Sequence, residues 1–395
     1  MSTVFLVFAA CAFASGFALR IIDPLILPMA EHFGVTPATA ALLSSAYALP
    51  YAIAQPFLGP LGDRFGKQRC IQICVVGMAA CLLAGSLATR FDVLMATRVV
   101  AGVFAGGLIP LVLASLGDAY GMQDRQVMIG RMLLAIISGQ MLGSVVAGLA
   151  NAALGWRSAL VIAAAAGIVA SALAWWVMPR RGAAVPVSAQ GHATFAVLYG
   201  RVFRNPKAPW LYAAVVAEGA LIFGAFPFVG QWLIERAGSS AAAAPAQAGL
   251  MLGAFGIGGL VYALAVRRII ASLGVWRMCV LGSCIAAGVY AALTVITLWW
   301  LAALAMLFAG LGYYMLHNSL QTEATELAPT ARASAVALFA CGFFAGQGLG
   351  PLVFGALVHG SGFTAALVAC AFGLVLLGQG VVCKVVARTA DQARA

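Results

Sequence analysis

The chain contains twelve apolar stretches of about 20 residues, most of them separated by short connections. A helix of that length spans the hydrocarbon layer of a bilayer, because each residue adds about 1.5 Å along the helix axis. Only 8% of the residues are charged, which is too few to cover the surface of a soluble domain. We therefore predict an all-α membrane protein with transmembrane helices at about 4–29, 38–58, 70–89, 92–116, 127–150, 157–178, 209–234, 246–266, 275–296, 299–321, 333–357 and 363–386.

The positions of the basic residues predict the topology. If both termini lie in the cytoplasm, 17 of the 22 Lys and Arg residues fall on the cytoplasmic face, three on the opposite face and two inside helices. This distribution follows the positive-inside rule and explains the net charge of +11 without a nucleic-acid partner. No Lys or Arg precedes the first stretch, so we expect an uncleaved helix rather than a signal peptide. The predicted location is a bacterial-type inner (plasma) membrane, with several passes through the bilayer.

An internal repeat predicts two related halves. Residues 139–148 match residues 346–355 at six of ten positions, and the same shift of 207 residues takes Gly155 to Gly362. Six predicted helices lie between the matching segments, so the two halves run in the same direction, as in transporters with parallel repeats. We predict an N-terminal six-helix bundle at 1–178, a cytoplasmic linker at 179–208 and a C-terminal six-helix bundle at 209–395.

Three motifs resemble those of the major facilitator superfamily. Residues 59–69, Gly-Pro-Leu-Gly-Asp-Arg-Phe-Gly-Lys-Gln-Arg, resemble its signature loop, and residues 94–102 are similar to a motif whose buried arginine is implicated in proton transfer. Residues 139–148 are similar to the antiporter motif, although Ser144 stands where that motif has proline. The resemblance covers essentially the whole chain and is closest to the drug:proton antiporter branch. It implies a major facilitator fold with a cytoplasmic gate formed by Gly59, Asp63, Arg64, Gly66 and Lys67.

The few ionisable residues inside the predicted helices are the candidates for proton coupling, because charges are costly in lipid. Arg20 and Asp23 share one face of helix 1, and Arg98 of helix 4 lies at a similar depth. This placement predicts an Asp23–Arg98 pair or a cluster of all three residues, either as a proton site or as a static ion pair. Glu218 lies near mid-membrane without a cation nearby in helix 7, which suits either a proton carrier or a permanently neutral carboxyl group.

Polar and aromatic residues in the central helices predict a substrate cavity. Gln140 and Gln347 are equivalent in the repeat and would face each other across the axis between the halves. Ordinary helix packing would explain the same residues equally well. The predicted lining consists of Tyr47, Tyr51, Gln55, Gln140, Phe223, Phe226, Asn318, Phe343 and Gln347.

The sequence contains no phosphate-binding loop of the nucleotide type and no hydrolase or metal-site motif, so we predict neither an enzyme nor a cofactor. Energy for transport would then come from a gradient or from the solute itself. The sequence and the resemblance together predict a monomeric secondary transporter that exports a small, partly apolar molecule in exchange for protons. Two alternatives stay open: proton-coupled uptake of a sugar or organic anion, and a membrane sensor that transports nothing.

Overall fold

The computed structural model describes residues 3–119, 122–177, 200–328 and 331–386. The predicted linker at 179–208 lies mostly outside these ranges. Within the described ranges the chain forms twelve long helices and no strand. The first six are α1 (Thr3–Phe33), α2 (Pro37–Phe65), α3 (Lys67–Ser86), α4 (Phe91–Ala119), α5 (Met122–Leu154) and α6 (Trp156–Val177). The second six are α7 (Ala208–Glu235), α8 (244–273), α9 (275–292), α10 (Trp299–Glu326), α11 (332–361) and α12 (363–384).

Four pairs of consecutive helices are separated by a single glycine, and two of these pairs form continuous helical stretches. The stretch Ala244–Ala292 turns at Gly274, and the stretch Arg332–Lys384 turns at Gly362, where φ is 67° and 82°. A residue without a side chain adopts such angles at little cost, so glycine permits these sharp turns between spanning helices. Nine apolar helical stretches in the described ranges are long enough to cross a membrane, and two of them are these pairs.

The backbone repeats across the two halves. In the described part of the chain, positive φ occurs at six glycines only, and they form three pairs. The pairs are Gly34 with Gly238, Gly66 with Gly274, and Gly155 with Gly362, at separations of 204, 208 and 207 residues. Each pair occupies the same connection in both halves. The chain is therefore built from two six-helix bundles that run in the same direction, and the fold prediction is confirmed.

The helices α1 and α7 are interrupted about two-thirds of the way along their length. The sequence predicted continuous helices here, but each is broken by a short 3₁₀ turn, Asp23–Leu25 in α1 and Phe226–Phe228 in α7. Both turns have proline as their second residue, Pro24 and Pro227, which has no N–H to donate and disfavours a regular helix before it. The two turns contact each other across the bundle interface, so irregular backbone lies at the centre of the protein.

The bundles meet along α2 against α11 and along α5 against α8. Small residues allow this close approach: a Cβ atom on Gly249 of α8 would lie 2.5 Å from the Ser144 carbonyl oxygen of α5. We name the two ends of the bundles after their first turns. The Gly34 face holds the α1–α2 turn, and the Gly66 face holds the α2–α3 turn, which the charge distribution predicts to be cytoplasmic.

Candidate functional site: ionisable groups between the bundles

Arg20 lies at the interface between the two bundles. Its guanidinium group forms an ion pair with Asp23, with Nη1 3.4 Å from Oδ2. It also donates a hydrogen bond to the side-chain oxygen of Gln347 on α11. The same group stacks on the ring of Phe223 at 4.1 Å and lies 5.2 Å from the ring of Phe226, both on α7. Arg20 therefore connects the N-terminal bundle to the C-terminal bundle through a hydrogen bond and two cation–π contacts.

Asp23 has a partner for each carboxylate oxygen. Oδ2 faces Arg20, and Oδ1 accepts a hydrogen bond of 2.7 Å from the Ser44 hydroxyl group of α2. Among the described residues, Asp23 and Arg98 form no ion pair within 4 Å, so the direct pair that the sequence allowed is absent. Arg20 is the partner of Asp23 instead, and the spacing of three residues places the two side chains close together.

Arg98 is buried inside the N-terminal bundle, with 1% of its surface exposed. It donates to the backbone carbonyl groups of Leu43 at 3.4 Å and Ala18 at 3.3 Å, and it stacks on the Tyr47 ring at 4.0 Å. Its Nη2 atom has no hydrogen-bond partner among the described residues. Arg98 therefore ties α4 to α1 and α2, and Tyr47 packs against it rather than lining a cavity between the bundles.

Glu218 and His317 form a second ionisable pair, in the C-terminal bundle. The Glu218 Oε2 atom of α7 lies 2.9 Å from Nδ1 of His317 on α10. The other oxygen, Oε1, is buried without a hydrogen-bond partner in the described part of the structure. The sequence showed no cation near Glu218 along α7, and the partner comes instead from a helix about one hundred residues later. Both residues lie about 15 Å from the Gly66 face, at 1.5 Å per residue, and so at matching depth.

A small cavity lies between the bundles beside Arg20. Gln140 and Ser144 of α5 face it from one side, and the rings of Phe223, Phe226 and Phe255 face it from the other. Its volume of about 20 Å³ holds about one water molecule, so the bundles must move before an organic molecule can enter. The N-terminal wall is mostly polar and the C-terminal wall mostly aromatic.

The remaining predicted lining residues divide between the interface and the bundle interiors. The ring of Tyr51 lies 4.2 Å from that of Phe344 across the interface, and Gln55 is buried nearby on the same helix. Phe343 joins the aromatic cluster of the C-terminal bundle, 4.5 Å from the His317 ring. Asn318 is half-buried on α10 and is not among the residues that line the cavity. Gln140 and Gln347 both lie next to Arg20 rather than bonding to each other.

The predicted gate is described only in part. Gly59 and Asp63 lie outside the residues whose surroundings the structure describes. Arg64 is exposed at the end of α2 and lies 5.4 Å from the ring of Phe65. Gly66 makes the turn with φ of 90°, and Lys67 begins α3. The tight α2–α3 turn that the motif predicted is therefore present.

Sequence reasoning missed two residues of the site and one contact of two others. His317 was not identified, although it is the direct partner of Glu218. Ser44 was not considered, although it bonds to Asp23. Phe223 and Phe226 were predicted to line a cavity but not to hold an arginine. The only available signal for His317 was that its depth matches that of Glu218 on a neighbouring spanning helix.

Two parallel six-helix bundles that enclose buried ionisable groups define a membrane transport protein. A family model described as Major Facilitator Superfamily matches residues 8–334, and the chain belongs to this superfamily. It is a multi-pass transporter and not an enzyme. The fold is similar to that of a D-xylose-proton symporter, with a TM-score of 0.79, 15% identity and 98% coverage of both chains.

Three relatives illustrate how the similarity is distributed. YceJ of Bacillus subtilis (strain 168), an uncharacterized MFS-type transporter, is 23% identical over 93% of this chain and 94% of its own length. The quinolone resistance protein NorA of Staphylococcus aureus (strain MRSA252) is 30% identical over 38% of this chain and 39% of NorA. A triacylglyceride transporter of Mycolicibacterium hassiacum is 38% identical over 26% of this chain, and the match spans only 19% of that relative.

Proposed function

We propose that this transporter exports a small, partly apolar molecule in exchange for protons, across a bacterial-type inner membrane with both termini in the cytoplasm. The observation that carries the proposal is the Glu218 carboxyl group, which is 0% exposed at mid-membrane, with one oxygen on a histidine and the other without a partner. A fully charged carboxylate in such a place is costly, whereas a carboxyl group that takes up and releases a proton is not.

Glu218 is better suited to carry the proton than Asp23. Both oxygens of Asp23 are satisfied, and Arg20 supplies a permanent positive charge next to it. Removing that negative charge would leave the Arg20 guanidinium group buried without a counter-ion, which costs several kcal/mol. His317 can be neutral and so leaves Glu218 free to change its charge. We therefore propose Glu218 as the proton carrier and the Arg20–Asp23 pair as a fixed charge pair that positions the interface.

The proposed cycle follows alternating access. The bundles at 1–178 and 209–395, joined by the linker at 179–208, rock around the central cavity. A proton from outside neutralises Glu218 as the substrate leaves, and the same carboxyl group releases the proton to the cytoplasm after the bundles have rocked. The Asp63–Arg64 segment latches the cytoplasmic face between these steps. Proton and substrate then compete for one site, which couples their movements in opposite directions.

Three observations support export and the partly apolar substrate. Residues 139–148 resemble the antiporter motif, and NorA, a relative over 38% of the chain, is a quinolone resistance protein. The aromatic wall formed by Phe223, Phe226 and Phe255 suits an apolar, ring-containing molecule. A second candidate is uptake of an organic anion, which is favoured by one observation: the Arg20 guanidinium group borders the cavity.

Flux into proteoliposomes tests the proposal. An exporter that exchanges protons for substrate concentrates norfloxacin, a quinolone, inside vesicles with an acidic lumen, through the molecules that are inserted inside-out. A symporter instead concentrates its solute from an acidic medium, and xylose and benzoate serve as probes for that direction. Vesicles that hold the Glu218→Gln variant correct for passive accumulation of the amine-containing quinolone.

The expected result is gradient-driven norfloxacin accumulation by the wild-type protein and none by Glu218→Gln. Accumulation of benzoate or xylose from the acidic medium would indicate proton-coupled uptake and contradict export. If Glu218→Gln retains full gradient-driven flux, the Glu218 carboxyl group does not couple transport to protons. Specific binding without net flux of any probe would favour the sensor.

A further inference from the structure

We infer that His317 is the group through which protons reach Glu218, an inference that rests on the proposed proton coupling. The Glu218 side chain is completely buried, whereas 14% of the His317 side chain is exposed. The two side chains are joined by one contact of 2.9 Å between Nδ1 and Oε2. A proton that enters from water therefore meets the histidine before it can reach the carboxyl group.

The α11 side of the pair is closed by tightly packed backbone and apolar rings. Gly219, next to Glu218, packs against the α11 backbone so tightly that a Cβ atom there would lie 2.5 Å from the Phe343 carbonyl oxygen. The Phe343 ring lies 4.5 Å from the imidazole ring, and the Phe339 ring lies 5.3 Å from it. Phenyl rings cannot carry a proton, so on the α11 side the imidazole ring is the group that can pass a proton to the carboxyl group.

No other group near the pair is suited to this role in the described part of the chain. The charged or titratable groups around it are Arg20 of α1, Cys279 of α9, Tyr313 of α10 and, nearer the Gly66 face, the Lys207–Glu323 ion pair. Glu323 lies six residues beyond His317 on α10, or about 9 Å along the helix. Of all these side chains, only the His317 imidazole ring is shown within hydrogen-bonding distance of the Glu218 carboxylate, and histidine is the side chain most often used for proton transfer.

The proton transfer is balanced without any further reactant. In the starting state the imidazole ring is neutral and donates its Nδ1–H to the Glu218 carboxylate. A hydronium ion gives a proton to Nε2 and becomes water, so the ring becomes an imidazolium. The Nδ1–H bond then breaks as the Oε2–H bond forms, which leaves a neutral carboxyl group and a neutral ring protonated on Nε2. The reverse sequence releases the proton.

Infrared spectroscopy of the purified full-length transporter in lipid tests this role with protons as the only probe. After a rapid drop in pH, the C=O stretch of a protonated carboxyl group appears, and its absence from Glu218→Gln assigns it to Glu218. We expect His317→Gln to slow the appearance of this band by about a hundredfold, the usual range for loss of a positioned acid–base group. His359→Gln is the matched control, because His359 is exposed and distant from Glu218.

Added imidazole distinguishes a proton route from a structural role. His317→Asn leaves space beside Glu218, and we expect imidazole in the buffer to restore much of the lost rate of proton uptake in this variant. His317→Asn also replaces His317→Gln in the rate measurement if His317→Gln does not fold. An equal rate in wild type and His317→Gln, or loss of rate without rescue by imidazole, overturns the inference while Glu218 remains the proton carrier. A wild-type protein without a Glu218 band at any pH instead overturns the proposed function.

Discussion

The hydrogen bond from Arg20 to Gln347 is the contact whose loss we expect to shift the balance between the conformations of the transporter. It joins α1 of one bundle to α11 of the other at the centre of the membrane. We predict that Gln347→Leu destabilises the arrangement seen here, in which the bundles are packed together toward the Gly34 face: a Cβ atom on Gly148 of α5 would lie 2.4 Å from the Pro245 carbonyl oxygen of α8. A leucine fills a similar volume but accepts no hydrogen bond, so the change removes the contact without opening a large cavity.

The size of the effect follows from the charge of the donor. Hydrogen bonds to charged groups contribute about 1.5–3 kcal/mol, and each 1.4 kcal/mol changes an equilibrium constant about tenfold. The hydrogen bond stabilises only the arrangement in which Arg20 and Gln347 are in contact, so its loss changes the conformational equilibrium by the full free energy of the bond. Asp23 and the Phe223 ring stay with Arg20, which keeps its charge from being buried alone. We expect a shift of about 10- to 100-fold toward the arrangement that is open at the Gly34 face.

Distance measurements between spin labels test this shift. Labels at Leu154→Cys and Ser240→Cys, with the native cysteines replaced, lie one on each bundle at the Gly34 face, and both positions are exposed. Opening at this face lengthens the distance between them. Gln140→Leu is the matched control, since Gln140 is the repeat equivalent of Gln347 and borders the same cavity. An unchanged distance distribution in Gln347→Leu, or an equal change in both variants, would refute the reasoning.

Two further predictions concern stability. Gly219→Ala should lower the melting temperature, because its Cβ atom would press on the α11 backbone and overpacking costs about 1–3 kcal/mol, whereas Gly288→Ala, where nothing lies within 4 Å, should not. Arg157→Ala should lower it as well, because the guanidinium group donates a 2.8 Å hydrogen bond to the Ala88 carbonyl oxygen and thereby ties α6 to the end of α3. The exposed Arg90→Ala serves as its control in a thermal unfolding assay, and equal melting temperatures within either pair would contradict the reasoning.

Features that depend on the length and periodicity of the sequence were predictable. The apolar stretches gave the number of helices, and the shift of 207 residues in the sequence agrees with the glycine pairs in the backbone. The depths of Arg20, Asp23 and Glu218 also followed from counting along a helix, because the rise per residue is constant. The buried position of these ionisable groups therefore agrees with the sequence.

The partners of these groups were not predictable for a physical reason. A spanning helix is apolar on the face toward lipid and on the face toward its neighbours, so its hydrophobic pattern does not fix its rotation about its own axis. The orientation of α10 decides whether His317 or Asn318 faces Glu218, and one residue corresponds to a rotation of about 100°. The 3₁₀ turn in α1 was not predictable either, because Pro24 alone does not specify its geometry.

The two bundles repeat in backbone but not in charge, and their buried ionisable pairs have different proposed roles. The turns Asp23–Leu25 and Phe226–Phe228 are equivalent at a shift of 203 residues, which makes Phe223 the counterpart of Arg20. Arg20 therefore stacks on its own counterpart across the axis between the bundles, at 4.1 Å. Its counter-ion Asp23 belongs to the same helix and can accompany it in every conformation, which avoids the cost of an unpaired buried charge. The contacts that can change during rocking are those to Phe223, Phe226 and Gln347, all in the C-terminal bundle. Arg20 thus makes the contacts between the bundles that form and break during rocking. The proposed proton site, Glu218 with His317, lies entirely within one bundle and can change its charge without breaking the Arg20–Asp23 ion pair.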